Sequence, residues 1–241
     1  EDNTSRLSIY FKDDPVGLTK VCKGLGIAEN FPTMQDFLLN SYAERINSEA
    51  KIGKTILFLI HGFNSPYGSS LNSYELLKAN LGNRKDIAVV EVYWDGLTKN
   101  PISIWAKAQV NSVFTGLTIR KLLTKVDSNA SIIYLTHSLG ASVATQSLFN
   151  VTKWSTKFQK TVDSLANKIP TPPQKRIILC LLAPAIPGVN TFNDLTSIVG
   201  NNTVRHIQKI VVGYNSRDQA LRKIIGIKKH FGSTSLGCDA D

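Results

Sequence analysis

The amino-acid sequence predicts an α/β fold, with a doubly wound, mostly parallel sheet and helices on both faces. Five apolar segments have the near-continuous hydrophobicity that is typical of strands covered on both faces. Segments with helical periodicity separate these strands, and such alternation predicts parallel strands joined by right-handed crossovers. Because a chain of 241 residues can bury one sizeable core, we expect a single domain over residues 1–241.

The five predicted strands also indicate where a site would lie. In a doubly wound sheet, ligands bind outside the carboxyl ends of the strands, so the residues that follow each strand are the first candidates. The segments in chain order are "TILFLIHG" (55–62), "IAVVEVYW" (87–94), "SIIYLTHS" (131–138), "RIILCLLAPAI" (176–186) and "IQKIVVGYN" (207–215).

Three helices are predicted around these strands. The first has Thr33 as its cap, and the second has Asn72 and Glu75 as a capping box and ends at Gly82. Their apolar positions at helical spacing are Leu38, Tyr42 and Ile46 in the first, Leu77 and Leu81 in the second, and Val110, Val113 and Leu117 in a third.

Residues 153–175 interrupt the alternation of strands and helices. This segment carries aromatic and aliphatic side chains at helical spacing, among them Trp154 and Phe158. Two interpretations stay open: a helix packed on the core, which we favour, or a cap inserted over the site.

The composition excludes several classes of protein. Hydrophobic residues make up 42% of the chain and charged residues 19%, which excludes a disordered chain. Lys and Arg number 28 against 18 Asp and Glu, a net charge of +10, but the basic residues are scattered. We therefore expect a solvated basic surface and no nucleic-acid partner, and a contact with a membrane surface has no further support.

The cysteines and histidines do not form a metal site by their spacing. Cys22, Cys180 and Cys238 make neither a CxxC pair nor a Cys/His motif, so we expect no metal and no cofactor. Cys180 lies in an apolar segment and is predicted to be a core thiol, whereas Cys22 and Cys238 are candidates to pair in an exported protein.

Two features of the sequence bear on localisation. No apolar run approaches the roughly 18 to 20 residues that span a bilayer, and the chain begins "EDNTSR" without a signal-like segment. We expect a soluble protein, either cytoplasmic or exported with its signal already removed.

Ser138 lies in "THSLG", between a predicted strand and a run of small, helix-tolerant residues. A nucleophilic serine needs a sharp turn that projects its hydroxyl beyond the strand and leaves backbone N–H groups free for an oxyanion. The usual pattern is G-x-S-x-G, and here Thr136 takes the place of the first glycine while Gly140 keeps the second. The alternative is an ordinary serine at the start of a helix.

The first predicted strand supports the catalytic interpretation. It ends in His61-Gly62-Phe63, at the place where an oxyanion loop belongs. The backbone N–H groups of Phe63 and Leu139 are the predicted oxyanion donors, with His61, Gly62 and Gly140 in supporting positions.

These motifs resemble those of the α/β-hydrolase superfamily over roughly residues 50–225. "LFLIHGFN", "YLTHSLGASV" and "VVGYNSRDQAL" are similar to a branch of uncharacterised serine hydrolases described only as α/β hydrolases of unknown function. The resemblance implies an α/β-hydrolase fold. The sequence departs from that fold in "FGSTSLGCDAD", which contains no convincing last strand. It also implies hydrolysis of an ester, thioester or amide through an acyl-enzyme on Ser138.

Asp218 is the predicted acid of a catalytic triad. In this fold the chain order is Ser, then Asp or Glu, then His, and Asp218 matches the aspartate in the N-x-x-D-x-A-L stretch of the resembled branch. Its position also fits a helix N-cap. Asp95 is a weaker candidate because it precedes Ser138.

His230 is the predicted base, since it is the only histidine after Asp218. Either it reaches the site from a loop, or the base lies beyond residue 241. The other histidines are less suitable. His61 is expected to support the oxyanion loop and His137 to point away from the Ser138 hydroxyl, while His206 precedes its predicted strand and so is expected at the wrong end of the sheet.

The function that we predict is serine hydrolase activity on a small-molecule or lipid ester. Two alternatives stay open. The first is a binding module that keeps the fold with an incomplete triad, and the second is an acyltransferase that uses the same groups.

Overall fold

A computed structural model describes residues 22–24, 26, 31–96, 101–149, 164–170, 172–173, 175–186 and 207–215. Helices and strands alternate along these residues up to the fourth strand, as the sequence predicts. The elements are α1 (Phe31–Lys51), β1 (Thr55–Ile60), α2 (Tyr67–Leu81), β2 (Ile87–Val92), α3 (Pro101–Lys125), β3 (Ser131–His137), α4 (Gly140–Leu148), β4 (Arg176–Leu182) and β5 (Ile207–Gly213).

The five strands form one parallel sheet in the order β2-β1-β3-β4-β5. The centre of the sheet lies at β1 and β3, where Ile56 pairs with Ile132 and Ile60 with Thr136. Residues 56–60 of β1 are all buried, which explains why this strand reads as an unbroken apolar run. The predicted doubly wound sheet is confirmed.

Helices cover both faces of the sheet. The larger core lies between the sheet and the side of α1, α3 and α4, and Phe58 stacks on Tyr134 there at 5.2 Å between ring centroids. On the other face, Tyr74 of α2 packs with Leu57 and Leu59 of β1. Alternate residues of the same strand thus enter different cores.

α4 is the most deeply buried helix of the described chain, since all nine of its residues are buried. Small residues allow α3 to approach it closely: a Cβ atom built on Gly116 would lie 2.6 Å from the Cβ of Gln146 and 2.7 Å from the Val143 carbonyl oxygen. The Ser112 and Ser142 hydroxyls hydrogen-bond between the two helices at 2.7 Å. This packing fixes the helix that follows Ser138.

The buried Arg120 of α3 holds the other end of α4. Its Nη2 donates to the Gln146 carbonyl at 2.8 Å and to the Phe149 carbonyl at 2.5 Å, and its Nε donates to Ser147 at 3.3 Å. Burial lowers the pKa of this guanidinium to about 10. A cation at the C-terminus of a helix also offsets its dipole.

Two details of the predicted helices are wrong. α1 begins at Phe31, so Thr33 lies in its first turn and is not its cap. α2 begins at Tyr67 after Pro66, so Asn72 and Glu75 lie inside the helix and form no capping box. Gly82 does end α2, with φ 60°.

Several predicted features lie wholly or partly outside the described residues. Of the segment 153–175, residues 164–170, 172–173 and 175 are described, and Trp154 and Phe158 are not. Cys22 is buried and forms no disulfide bond with another described residue, and Cys238 lies outside the described residues, so their predicted pairing stays a prediction. Cys180 is half-buried, and burial raises the pKa of its thiol. Within the described ranges, no helix is both long and apolar enough to cross a membrane.

Candidate active site

The strand order changes direction between β1 and β3. From β1 the chain moves outward to β2, and it then returns to add β3 on the opposite side of β1. The loops that leave the carboxyl ends of β1 and β3 therefore run in opposite directions, which is where ligands bind in open α/β sheets. Gly62 and Ser138 follow these two strands directly.

Ser138 occupies a sharp turn between β3 and α4. Its φ is 52°, in the left-handed region, and α4 begins two residues later at Gly140. Such a conformation costs a non-glycine residue about 1 to 2 kcal/mol, so it persists only where the surroundings impose it. Backbone strain of this kind is typical of functional residues.

Neighbouring backbone groups hold the Ser138 turn in place. The Ser138 N–H donates to the Leu182 carbonyl at 2.9 Å. The Ser138 carbonyl accepts from the N–H groups of Ala141 and Ala185, each at 3.1 Å. The Ser138 backbone is thus hydrogen-bonded to the end of β4 and the turn after it, as well as to the helix that follows it.

The two glycines of the motifs allow β1 and the Ser138 turn to touch. A Cβ atom on Gly62 would lie 2.9 Å from the Cβ of Ser138, and one on Gly140 would lie 2.6 Å from the carbonyl oxygens of Ile60 and His61. Real Cβ atoms do not approach so closely. The second glycine of the motif is therefore required for the approach of α4 to the neighbouring strand β1.

Phe63 and Leu139, the predicted oxyanion donors, lie on either side of this contact. Neither of their N–H groups donates a hydrogen bond to another residue of the described chain. The Phe63 ring packs edge-on against Trp105 at 4.9 Å, and the Leu139 side chain is fully buried. Both backbones are thus anchored while both amides stay available.

His61 ties the end of β1 to the end of β2 and to α2. Its Nε2 accepts from the Trp94 N–H at 3.1 Å, its carbonyl accepts from the Trp94 indole N–H at 2.8 Å, and the two rings stack at 5.6 Å. Its own N–H donates to the Tyr74 hydroxyl at 2.7 Å, which donates in turn to the Val92 carbonyl. Burial lowers the pKa of His61. The ring is held in place and is not free to act as a base.

Thr136 occupies the place of the first motif glycine without obstructing the turn. It is 1% exposed, between Ile60 and Leu181 in the sheet. Its hydroxyl has no hydrogen-bond partner among the described residues. The departure from G-x-S-x-G is therefore accommodated by packing, at the cost of a buried polar atom.

The remaining candidates fall into two groups. His137 is exposed at the end of β3, and the exposed Asp95 follows β2, where Asn111 Nδ2 donates to the Asp95 carbonyl at 3.1 Å. Asp218, His230 and His206 lie outside the described residues, so their predicted places in the site stay predictions.

The residues that pack against His61 and Gly62 and support the candidate site were not identified from the sequence. Trp94 and Tyr74 hold His61, and a Cβ on Gly96 would lie 2.9 Å from the Gly62 carbonyl oxygen. The available signal was "YWDG" after β2, in which a tryptophan and a glycine follow a strand directly. Nothing in the sequence indicates the hydrogen bond from the Ala185 N–H to the Ser138 carbonyl.

Comparison with known families agrees with this architecture. A model described as "Alpha/beta hydrolase of unknown function (DUF900)" matches residues 40–231, which is most of the chain. No curated protein gives a significant match. The five-stranded parallel sheet with its flanking helices is that of an α/β-hydrolase fold. The chain therefore belongs to this family of α/β hydrolases of unknown function.

Proposed function

We propose that the protein is a serine hydrolase that cleaves carboxylic esters through an acyl-enzyme on Ser138. Ser138 Oγ attacks the carbonyl carbon while its proton passes to a general base. The bond to the leaving oxygen then breaks, and that oxygen takes the proton and departs as an alcohol. Water repeats the sequence on the acyl-enzyme, which releases the carboxylic acid and restores the serine.

The left-handed turn at Ser138 is the observation that carries this proposal. A serine at a helix start has no need of φ 52°, because a cap residue adopts extended backbone instead. The turn also brings Ser138 against Gly62, and Phe63 and Leu139 are the residues that follow Gly62 and Ser138 in the chain. A developing oxyanion needs two such donors close to the attacking oxygen.

Two further groups complete the proposal from the sequence. Asp218 is the proposed acid and His230 the proposed base, in the chain order of the fold. A small-molecule or lipid ester is the proposed substrate, and thioesters and amides share the same chemistry at the carbonyl carbon.

A fluorophosphonate probe tests the nucleophile directly, because it phosphonylates only an activated serine. The wild-type protein is expected to be labelled on the peptide that contains Ser138, as read by mass spectrometry. Ser138→Ala is expected to abolish labelling, since no other nucleophile occupies the turn.

Ser73→Ala is the matched control. Ser73 is exposed on α2, where its hydroxyl donates to the Ser69 carbonyl at 2.9 Å, so this variant should label like the wild type. Absence of labelling in the wild type, or labelling that survives in Ser138→Ala, would contradict the proposed function. Hydrolysis of para-nitrophenyl esters of increasing acyl length then defines the preferred acyl group.

A further inference from the structure

The two proposed oxyanion donors each belong to a peptide whose carbonyl is bound on its far side. In a planar trans peptide, the C=O and N–H groups point in opposite directions. The Gly62 carbonyl therefore sets the direction of the Phe63 N–H, and the Ser138 carbonyl sets that of the Leu139 N–H. A group that hydrogen-bonds to one of these carbonyl oxygens therefore fixes the direction of the N–H group in the same peptide.

His61 binds the first of these carbonyls. Its Nδ1 lies 2.9 Å from the Gly62 oxygen, and its Nε2 lies 3.1 Å from the Trp94 backbone nitrogen. A backbone N–H can only donate, so Nε2 accepts and the ring proton must reside on Nδ1. The neutral Nδ1–H tautomer therefore donates to the Gly62 carbonyl.

Ala185 binds the second carbonyl in the same way. Its N–H donates to the Ser138 oxygen at 3.1 Å, beside the Ala141 N–H of the α4 turn. The Ala141 bond is local, whereas the Ala185 bond comes from the turn that follows β4. Both proposed donors thus have a hydrogen bond on the opposite end of their own peptide, supplied by a different part of the site.

We propose that His61 is a positioning residue whose Nδ1–H, bound to the Gly62 carbonyl, aims the Phe63 N–H at the oxyanion, as Ala185 does for Leu139. This inference rests on the proposed function. A hydrogen bond to a carbonyl also polarises its peptide and strengthens the N–H at the other end as a donor. His61 acts on the reaction through the peptide and does not transfer a proton.

The surroundings of His61 keep its ring in this orientation. The ring stacks on Trp94 with an interplanar angle of 14°, and the Tyr74 hydroxyl accepts from the His61 N–H at 2.7 Å. The His61 carbonyl is held at the same time by the Trp94 indole N–H. Rotation of the ring would break both of its hydrogen bonds, so the donor to Gly62 is fixed before substrate binds.

Asparagine and glutamine at position 61 distinguish the roles of the two ring nitrogens of His61. The Asn amide nitrogen comes close to the position of Nδ1 and can keep the donor to Gly62, while it loses the acceptor for Trp94. The Gln amide oxygen reaches the position of Nε2 and keeps that acceptor, while the donor to Gly62 is lost. His61→Asn and His61→Gln thus each remove one hydrogen bond and differ in which one.

The variants are compared by steady-state hydrolysis of para-nitrophenyl butyrate. We expect His61→Asn to retain kcat within about tenfold of the wild type. His61→Gln should lose up to about 10² to 10³-fold in kcat, the loss expected where a misdirected Phe63 N–H no longer reaches the oxyanion. KM should change little in either, because the donor acts mainly in the transition state. The unfolding temperature Tm should fall by similar amounts in both variants, so a loss of stability cannot explain a difference in kcat between them.

Nitrogen NMR of the imidazole supplies a readout that does not depend on activity. A protonated Nδ1 and an unprotonated Nε2 are expected for His61. The reverse tautomer, or a kcat for His61→Gln equal to or above that of His61→Asn, would overturn this inference and leave the proposed function standing. Failure of the wild type to label with fluorophosphonate would instead reject the proposed function, and with it a catalytic role for the His61 bond.

Discussion

Backbone strain in the described part of the chain concentrates at three non-glycine residues. Asn64, Ser138 and Ala183 have φ values of 53°, 52° and 44°. They follow β1, β3 and β4, which are neighbours in the sheet, so all three lie at its carboxyl edge. Residues in such conformations cluster at functional sites because the rest of the fold must hold them there.

The buried Thr136 hydroxyl also costs stability, close to the strained Ser138 turn. Removal of this hydroxyl should stabilise the protein. A buried hydroxyl without a partner has lost its hydrogen bonds to water and gained none in return. Thr136→Val keeps the shape of the side chain and removes that hydroxyl. We expect the free energy of unfolding, measured in urea, to rise by about 1 kcal/mol.

Thr145→Val is the comparison for Thr136→Val. Thr145 is equally buried, but its hydroxyl donates to the Ala141 carbonyl at 2.8 Å, so the same substitution should lower the free energy of unfolding. Equal loss of stability in both variants would mean that the Thr136 hydroxyl has a partner after all.

The turns after β3 and β4 act as one unit at the scale of secondary structure. Ser138 donates to Leu182, Ala185 donates to Ser138, and Ala183 donates to the Gly213 carbonyl at 2.6 Å. The hydrogen-bond ladders of β3, β4 and β5 thus continue past the ends of the strands. Ala185 and Ile186 are fully buried, so the turn after β4 supports the Ser138 turn from within the core.

Ala183→Gly tests the strain in the turn after β4. Alanine at φ 44° is disfavoured by contact between its Cβ and its own backbone, and glycine lacks that Cβ. We expect Ala183→Gly to raise the free energy of unfolding by up to about 1 kcal/mol in urea, because strain relief exceeds the added entropy of the unfolded chain.

Ala185→Gly is the control for Ala183→Gly. Ala185 is fully buried and is not among the described residues with positive φ, so its substitution should lower the free energy of unfolding by about 1 kcal/mol. A loss of stability of the same size in Ala183→Gly would show that the left-handed turn is not strained.

At the scale of the whole molecule, the strand order assembles the site from distant segments. His61 and Ser138 are far apart in the chain, and they meet because β1 pairs with β3 and not only with β2. The same principle applies to the proposed triad. Asp218 follows the segment that contains β5, and β5 lies two strands from β3 in the sheet.

Asn and Gln substitutions test the proposed acid and base. We expect Asp218→Asn and His230→Gln each to reduce kcat/KM for para-nitrophenyl butyrate by about 10³ to 10⁴-fold, because the members of a triad act as a unit. Their double variant should be little worse than either single variant. The measurement is steady-state hydrolysis, with thermal unfolding as a check on folding.

Asp95→Asn distinguishes the two candidate acids. If Asp218 is the acid, Asp95→Asn should retain most of the wild-type kcat/KM. A large loss in Asp95→Asn, with Asp218→Asn unaffected, would assign the acid to the loop after β2. Full activity in His230→Gln would place the base elsewhere in the chain.

The sequence by itself determined the elements and the Ser138 turn. Continuous apolar runs record burial on both faces, so all five strands could be predicted, and the position of "THSLG" between a strand and small residues favoured a sharp turn at Ser138. The predicted caps at Thr33 and Asn72 were wrong because helix starts depend on packing as well as on capping residues.

Only the tertiary structure decided how the site is held together. Three features leave no local pattern in the sequence: the strand order β2-β1-β3-β4-β5, the Nδ1–H tautomer of His61, and the hydrogen bond from the Ala185 N–H to the Ser138 carbonyl. Each depends on backbone groups that come from separate strands. Periodicity reports which side of an element is buried, whereas a hydrogen bond between distant backbones exists only once the strands have paired.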